Sequence, residues 1–203
     1  MCVPAHADCC KFEPASPERC NLRAGPPFEK TKDIPVLPYK LRRLDRNDAS
    51  SFREIRLEGL ANHPEVFGAS LEDEQNEPEA RFADRLENGH VIGGFSDDGT
   101  LAGIIGISKS KGIKTQHIGS IWGMYVRQTA RGTGLSRLLL TAAIDDVDTT
   151  LRSLRLCVVS SNAQAIRLYK SVGFEEWAVE AEALKVGDAY YDEILMRLEI
   201  GSR

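Results

Sequence analysis

The chain has 203 residues, of which 42% are hydrophobic and 28% charged, and its formal net charge is −4 at pH 7. This length suits one compact domain with a tail, and the apolar content excludes a disordered or fibrous protein. Because the charge balance is acidic and no apolar stretch approaches the ~20 residues that span a bilayer, we expect neither a nucleic-acid partner nor a membrane partner.

The first 35 residues differ in composition from the rest. They are rich in proline and hold four of the five cysteines: Cys2, Cys9, Cys10 and Cys20. An odd cysteine count without a signal-peptide pattern argues against a secreted disulfide framework, so we expect a cytoplasmic protein. The spacing also lacks the paired cysteines of zinc sites, so we expect no metal. The prediction is a flexible extension over residues 1–35 and a folded domain over residues 36–203.

The first half of the domain reads as a strand, two helices and a hairpin. In chain order the pattern predicts a strand over Tyr39–Leu44, a helix from Ala49, an acidic loop over His63–Asn76, a helix over Glu79–Asn88, and strands over Val91–Phe95 and Leu101–Ser108. Arg56 projects from the apolar side of the first helix. It is therefore either a buried structural arginine or one that reaches a ligand. The lysines that follow the second hairpin strand predict a solvated turn.

The second half alternates strands and helices before a closing hairpin. The pattern predicts a strand over His117–Val126, a loop to Gly134, a helix over Leu135–Val147, a buried strand over Leu154–Val159, a helix between Asn162 and Gly173, and strands over Phe174–Leu184 and Tyr190–Leu198. Antiparallel hairpins around a strand-helix-strand-helix centre predict the α/β class.

One glycine loop stands out, Arg131-Gly132-Thr133-Gly134, between a predicted strand and a predicted helix. Backbone N–H groups and the helix dipole attract phosphate at such a position. A P-loop would end in Gly-Lys-Ser/Thr, which is absent, and a Rossmann loop would have a third glycine where Arg137 stands. By itself the loop is either a phosphate site or a tight turn.

Longer motifs around this loop resemble those of a known family, and this resemblance favours a phosphate site over a simple tight turn. Val126 through Gly134, Asn162-x-x-Ala165-x-x-Leu168-Tyr169, and Gly173-Phe174 resemble the two core motifs of the GCN5-related N-acetyltransferases, the GNAT family. The resemblance implies a mixed, mostly antiparallel central sheet with one parallel, splayed strand pair, flanked by helices. It also implies acetyl-CoA as co-substrate, with direct attack by a primary amine of a small molecule or peptide in a ternary complex.

The resemblance assigns roles to individual residues. The backbone of Met124, Tyr125 and Val126 would pair with the pantetheine arm, and Asn162 would contact that arm or serve only as a helix cap. Tyr169 would be the general acid for the leaving thiolate, or else a core tyrosine; a phenol with a pKa of about 10 stays protonated at neutral pH. The pyrophosphate would be cradled by Arg131, Gly132, Thr133, Gly134, Leu135 and Ser136.

The general base is less evident. An amine with a pKa near 10 must lose a proton before it attacks. His117 is the only side chain of its strand that titrates near neutrality, so it is either a water-mediated base or a surface histidine. Three carboxylates either bind the amine or relay its proton, or are simply solvated: Glu65, Glu72 and Asp192. The predicted acceptor pocket consists of Arg56, Phe67, Trp122, Tyr125 and Tyr191.

Two other functions remain open. One is a non-catalytic acyl-CoA-binding module, and the other is acylation of protein lysines or N-termini. A covalent acyl-enzyme is disfavoured, because Cys157 lies in a buried strand pattern without an adjacent histidine. Homodimers are common among proteins that share this resemblance, and nothing in the sequence specifies an interface.

Overall fold

The computed structural model of the chain describes residues 39–201. The extension predicted over residues 1–35 therefore lies outside the described residues. The strands are β1 (Tyr39–Arg43), β2 (His90–Ser96), β3 (Leu101–Lys109), β4 (Ile118–Val126), β5 (Ser153–Val159), β6 (Glu175–Val186) and β7 (Ala189–Glu199). The helices are α1 (Ala49–Asn62), α2 (Leu71–Glu74), α3 (Glu79–Asn88), α4 (Leu135–Asp145) and α5 (Ala163–Ser171).

The seven strands form one sheet in the order β1-β2-β3-β4-β5-β7-β6. Strands β4 and β5 run parallel, and each of the other neighbouring pairs in this sheet is antiparallel. The predicted fold class, a mostly antiparallel sheet with one parallel pair flanked by helices, is confirmed.

The parallel pair separates soon after it forms. Pairing runs from Ile118 opposite Ser153 to Ser120 opposite Arg155, and both strands then continue without pairing to each other. On its other side, β4 carries one residue more than β3 between Trp122 and Tyr125, and Gly123 has a φ of 61° there. A bulge of this kind bends the strand, so a wedge-shaped gap opens between β4 and β5.

Two apolar cores cover the two faces of the sheet. Helices α4 and α5 pack on one face, and α1 and α3 pack on the other, against β2, β3 and β4. Because β4 has one extra residue, its side chains before and after the bulge do not follow one continuous alternation between the two faces of the sheet. Ile121 and Met124 thus face α4 and α5, whereas Trp122 and Tyr125 face α1.

Most predicted elements match those observed, and two expectations need correction. The acidic stretch after α1 is not wholly a loop, because Pro64–Val66 and Leu71–Glu74 form short helical segments. Cys157 is exposed rather than buried. Its neighbours Leu156 and Val158 point into the α4/α5 core, and the period of two in a strand turns Cys157 to the other face. No helix between residues 39 and 201 has the length and apolarity to cross a bilayer.

Candidate active site

The gap between β4 and β5 exposes backbone groups in mid-sheet. Counting three and four residues along each strand from the last pair, Ser120 and Arg155, places Gly123 near the level of Val158 and Met124 near that of Val159. Over this stretch no strand within residues 39–201 pairs with the N–H and C=O groups of β4 that face β5. An extended ligand can pair with them as an added strand would. The gap therefore suits the predicted pairing of a pantetheine arm with Met124, Tyr125 and Val126.

The glycine loop leads directly from this gap into α4. Gly132 and Gly134 have φ values of 77° and 92°, which side-chain-bearing residues rarely adopt. Gly134 occupies the N-cap of α4 and supplies no side-chain cap, so the N–H groups of the first turn remain available. The fully buried Leu135 anchors this helix start in the core. The arrangement is typical of an anion-binding helix N-terminus.

Side chains of the loop serve to shape it. The Thr133 hydroxyl donates to the Ala130 carbonyl over 2.7 Å. The Arg131 guanidinium turns back to the end of β4, where Nε donates to the Val126 carbonyl over 3.1 Å and Nη2 lies 2.8 Å from Nε2 of His63. The guanidinium of Arg131 is thus engaged within the fold at the end of β4.

Tyr169 brings a hydroxyl to the edge of the gap. Its side chain is 8% exposed, and the hydroxyl donates to the Met124 sulfur over 3.6 Å. Burial raises the pKa of Tyr169 to about 12. The phenol is therefore fully protonated at neutral pH and can donate a proton where β4 and β5 separate, as a general acid must.

Asn162 begins the helix that carries Tyr169. Its Oδ1 accepts a hydrogen bond from the Ala165 N–H over 3.1 Å, so it caps α5 as its sequence position suggested. The cap engages the side-chain oxygen and leaves the amide nitrogen as the group for a ligand arm.

Four of the five predicted acceptor-pocket residues come together on the α1 side of the bulge. The Arg56 guanidinium lies 5.3 Å from the centre of the Phe67 ring, and the Phe67 and Tyr125 rings are 6.5 Å apart. Trp122 packs in the same core. A Cβ on Gly123 would meet Nη1 of Arg56 at 3.4 Å, so this arginine lies directly beneath the bulge.

Arg56 is also a structural arginine. Its Nε and Nη2 donate to the Glu74 carboxylate over 3.1 and 2.9 Å, and Nη1 of Arg85 donates to the same carboxylate over 2.9 Å. Burial acts to raise the pKa of Glu74, but the bonds and charges of the two arginines outweigh it and lower that pKa. Arg56 therefore fits both interpretations, because it is a buried structural arginine and also lies beside the predicted acceptor pocket.

The remaining predicted residues lie elsewhere. His117 is exposed and precedes β4, about 23 Å along the chain from Met124 at 3.3 Å per residue. Glu65 is beside His63, 3.8 Å away, and Glu72 is exposed. Tyr191 pairs with Leu184 near the β6–β7 turn.

Asp192 has a structural partner. Its Oδ1 accepts from the Glu182 N–H over 2.8 Å, where Glu182 has a φ of 53° and β6 departs from regular pairing. This carboxylate therefore fixes an irregular turn of backbone in β6.

A carboxylate that the sequence did not single out lies level with the bulge. Glu193 pairs with Val159 across β5–β7 and with Glu180 across β6–β7. Partial burial, together with the charge of Glu180, raises the pKa of Glu193. The alternation of β7 places it on the face opposite Met196, but its proximity to β5 is a long-range contact that the sequence pattern does not contain.

Cys157 is on the same side of the sheet. Partial burial and the nearby carboxylates of Glu193 and Glu180 raise the pKa of its thiol. A raised pKa disfavours the reactive thiolate, which agrees with the expectation against an acyl-enzyme. Among residues 39–201 no three histidine, cysteine or acidic side chains are grouped to hold a metal ion.

The family model described as "Acetyltransferase (GNAT) family" matches residues 52–174, which include the bulge, the glycine loop and Tyr169. The chain belongs to the GNAT acetyltransferase family. The family membership expected from the core motifs is thereby confirmed.

Two relatives of this GNAT chain have named activities. The mycothiol acetyltransferase of Thermomonospora curvata is 31% identical over 134 residues, which are 66% of this chain and 42% of that protein. The [ribosomal protein bS18]-alanine N-acetyltransferase of Salmonella typhimurium is 40% identical over 68 residues, 33% of this chain and 46% of that protein. The chain spans about half the length of the curated relatives it matches.

Solved structures show the same fold. A GNAT superfamily phosphinothricin acetyltransferase from Sinorhizobium meliloti, in complex with acetyl-CoA, superposes with a TM-score of 0.70 at 19% identity. The alignment covers 81% of this chain and 89% of that one. At this identity the likeness concerns the fold.

Proposed function

We propose that this GNAT protein is an acetyl-CoA-dependent N-acetyltransferase that acts on a primary amine of a small molecule or peptide. The observation that carries the proposal is the position of the Tyr169 hydroxyl at the edge of the β4–β5 gap, 3.6 Å from the Met124 sulfur. A module that only binds acyl-CoA has no use for a proton donor at that place. No metal takes part in the proposal.

Acetyl-CoA fits the gap and the loop together. The unpaired edge of β4 beside Met124, Tyr125 and Val126 matches the amide groups of the pantetheine arm, and the uncapped start of α4 at Gly134 matches the pyrophosphate. In this placement the amide nitrogen of Asn162 faces the arm. The co-substrate supplies the acetyl thioester.

The reaction is direct attack in a ternary complex. The amine nitrogen bonds to the thioester carbonyl carbon, and a backbone N–H near Met124 stabilises the charge that develops on the carbonyl oxygen. The carbon–sulfur bond then breaks, and Tyr169 donates its proton to the departing thiolate. A phenol with a pKa of about 12 remains protonated until that moment.

The amine must first lose a proton, and we assign its acceptor to Glu193. This carboxylate is level with the bulge, and Glu180 beside it adds a second negative charge that attracts an ammonium group. His117 lies at the opposite end of β4, so the structure does not bring it to the gap.

A Glu193→Gln variant should lose activity most strongly near neutral pH and recover part of it at high pH, where free amine predominates.

The relatives act on both acceptor types that the proposal names. One is named for acetylation of mycothiol, a small molecule, and the other for an alanine of a ribosomal protein. Acylation of protein N-termini therefore stays within the proposal as its peptide branch.

The test is acetyl transfer from acetyl-CoA to a panel of amines and short peptides, followed by mass spectrometry of the product. We expect Tyr169→Phe to lower kcat by about 10²-fold or more, with little change in the affinity for acetyl-CoA. Tyr190→Phe is the matched control, because Tyr190 is 55% exposed and outside the gap. A wild-type protein that binds acetyl-CoA but acetylates nothing, with Tyr169→Phe indistinguishable from it, would establish the non-catalytic module instead.

A further inference from the structure

A cavity of about 630 Å³ extends from the α1 side of the sheet, and five of its twelve lining residues are arginines or lysines. These are Arg43, Arg56, Arg85, Lys109 and Lys111. The net charge of −4 for the whole chain gives no hint of such a local excess. A cavity of this size suits a small ligand.

The cavity begins at the bulge and extends toward the end of the sheet at which β4 and β5 are still paired with each other. Trp122 and Arg56 line it, and both adjoin Gly123. Lys109 lines the other end and pairs with Gly119, four residues before Gly123 on β4. At 3.3 Å per residue the two ends are about 13 Å apart. A molecule whose amine lies at the bulge can therefore place a second group near the Lys109 end of the cavity.

The positive charge of the cavity is only partly compensated. Glu74 is the one carboxylate among its described lining residues, and it is shared by Arg56 and Arg85, so one positive charge is in excess there. Arg43 donates to a neutral group, the Gly89 carbonyl, over 2.7 Å. Lys109 pairs with Asp148 over 3.0 Å.

We infer that this cavity binds an anionic group of the acceptor, such as a carboxylate or phosphate, about 10–13 Å from the amine that is acetylated. Arg43 and Lys111 supply the charge that selects it. The inference deepens the proposed function and rests on it, since the amine of the same molecule must reach the bulge. The acceptor is thus a zwitterion, with its ammonium near Glu193 and Glu180 and its anion among the basic side chains.

The probes are triglycine, triglycine amide and Gly-Gly-Lys amide, because three extended residues span about 10 Å. Their binding to the full chain is measured by titration calorimetry, with and without saturating CoA. We expect triglycine to bind about tenfold more tightly than its amide, since charge-assisted hydrogen bonds are the strong ones. Gly-Gly-Lys amide should bind most weakly of the three.

Variants locate the effect. In Arg43→Gln/Lys111→Gln the preference for triglycine over its amide should disappear, whereas Lys114→Gln, an exposed lysine of the same hairpin turn, should keep it. Equal binding of the three peptides, no binding of any, tightest binding of the lysine peptide, or a preference that survives the double substitution would each overturn the inference. Failure of CoA itself to bind would instead count against the proposed function, and the titration without CoA separates the two.

Discussion

Glu74 illustrates how a single residue supports the site from beneath. Its side chain is 6% exposed, and that of Arg56 is 8% exposed, so both charges are removed from water. Each is tolerated because the other is present. Since Arg56 lies under Gly123, the pair also supports the bulge at which the gap opens.

Substitution of Glu74 by glutamine should therefore destabilise the fold. It leaves the guanidinium of Arg56 buried without a counter-charge, and we expect the free energy of unfolding to fall by about 3 kcal/mol in urea titrations at pH 7. Glu77→Gln is the control, because Glu77 and Arg81 form an exposed pair whose contribution is about 0–1 kcal/mol. Equal effects of the two substitutions would contradict this account of Glu74.

The same pair predicts a pH dependence. The folded-state pKa of Glu74 lies below its ordinary value of 4.5, so its stabilisation is complete above that pH and is lost as the pH falls through the lower, folded value. Acid unfolding of the wild type should therefore be steeper below pH 4.5 than that of Glu74→Gln. Parallel curves from circular dichroism at a series of pH values would disprove the coupling.

Substitution of Cys157 tests whether the acetyl group is transferred directly or through a covalent acyl-enzyme. If acetyl passed through this thiol, Cys157→Ser would abolish turnover and initial-rate plots would be parallel, as ping-pong kinetics require. Because the thiol pKa is raised, we expect instead that the variant keeps its kcat and that the plots intersect. Acetylated enzyme detected by mass spectrometry after incubation with acetyl-CoA alone would refute direct attack.

Among the elements, the loop before α4 combines two requirements, a left-handed backbone and open N–H groups. Gly132 has a φ of 77°, and no atom lies within 4 Å of the position that a Cβ would occupy there. Gly99, in the β2–β3 turn, has a φ of 84° and equally open surroundings, but no ligand is expected there. Substitutions at these two positions can therefore distinguish an effect of backbone strain from an effect on ligand binding.

Alanine at either position should lower the free energy of unfolding by about 1–2 kcal/mol, the cost of a left-handed conformation with a Cβ. Only Gly132→Ala should also weaken acetyl-CoA binding, by about tenfold or more, because one charge-assisted hydrogen bond is worth at least about 1.5 kcal/mol. Calorimetric titration with acetyl-CoA checks this. Equal affinities in the two variants would remove the pyrophosphate from this loop.

The elements themselves are largely predictable. Glu79–Asn88 is observed at its predicted bounds, because its apolar positions Phe82 and Leu86 recur at helical spacing. The burial of strand side chains is less predictable. The apolar pattern around Cys157 predicts a buried strand, but a short apolar strand gives no indication of how far each side chain is covered, and here Cys157 is exposed while the other residues of β5 are buried or partly buried.

At the scale of the whole molecule, ligand binding should be visible as stability. Acetyl-CoA at about 100 times its dissociation constant should add about 2.7 kcal/mol to the free energy of unfolding. For a domain of this size that corresponds to a rise of roughly 5–10 °C in Tm. Thermal melts with acetyl-CoA, propionyl-CoA and free CoA measure it, and the absence of a shift with any of them would contradict both the transferase and the acyl-CoA-binding module.

The sequence by itself determined the strand and helix order, the glycine loop, the cap at Asn162 and the tyrosine on α5, because each depends on local periodicity or short motifs. A splayed parallel pair was implied only by the family resemblance, and the tertiary structure decided which strands are neighbours and where along β4 the gap opens. It also placed Glu193 level with the bulge and gathered Arg43, Arg85 and Lys111 around one cavity. Those residues are far apart in the chain, and only the pairing of strands and the packing of α1 and α3 bring their charges together.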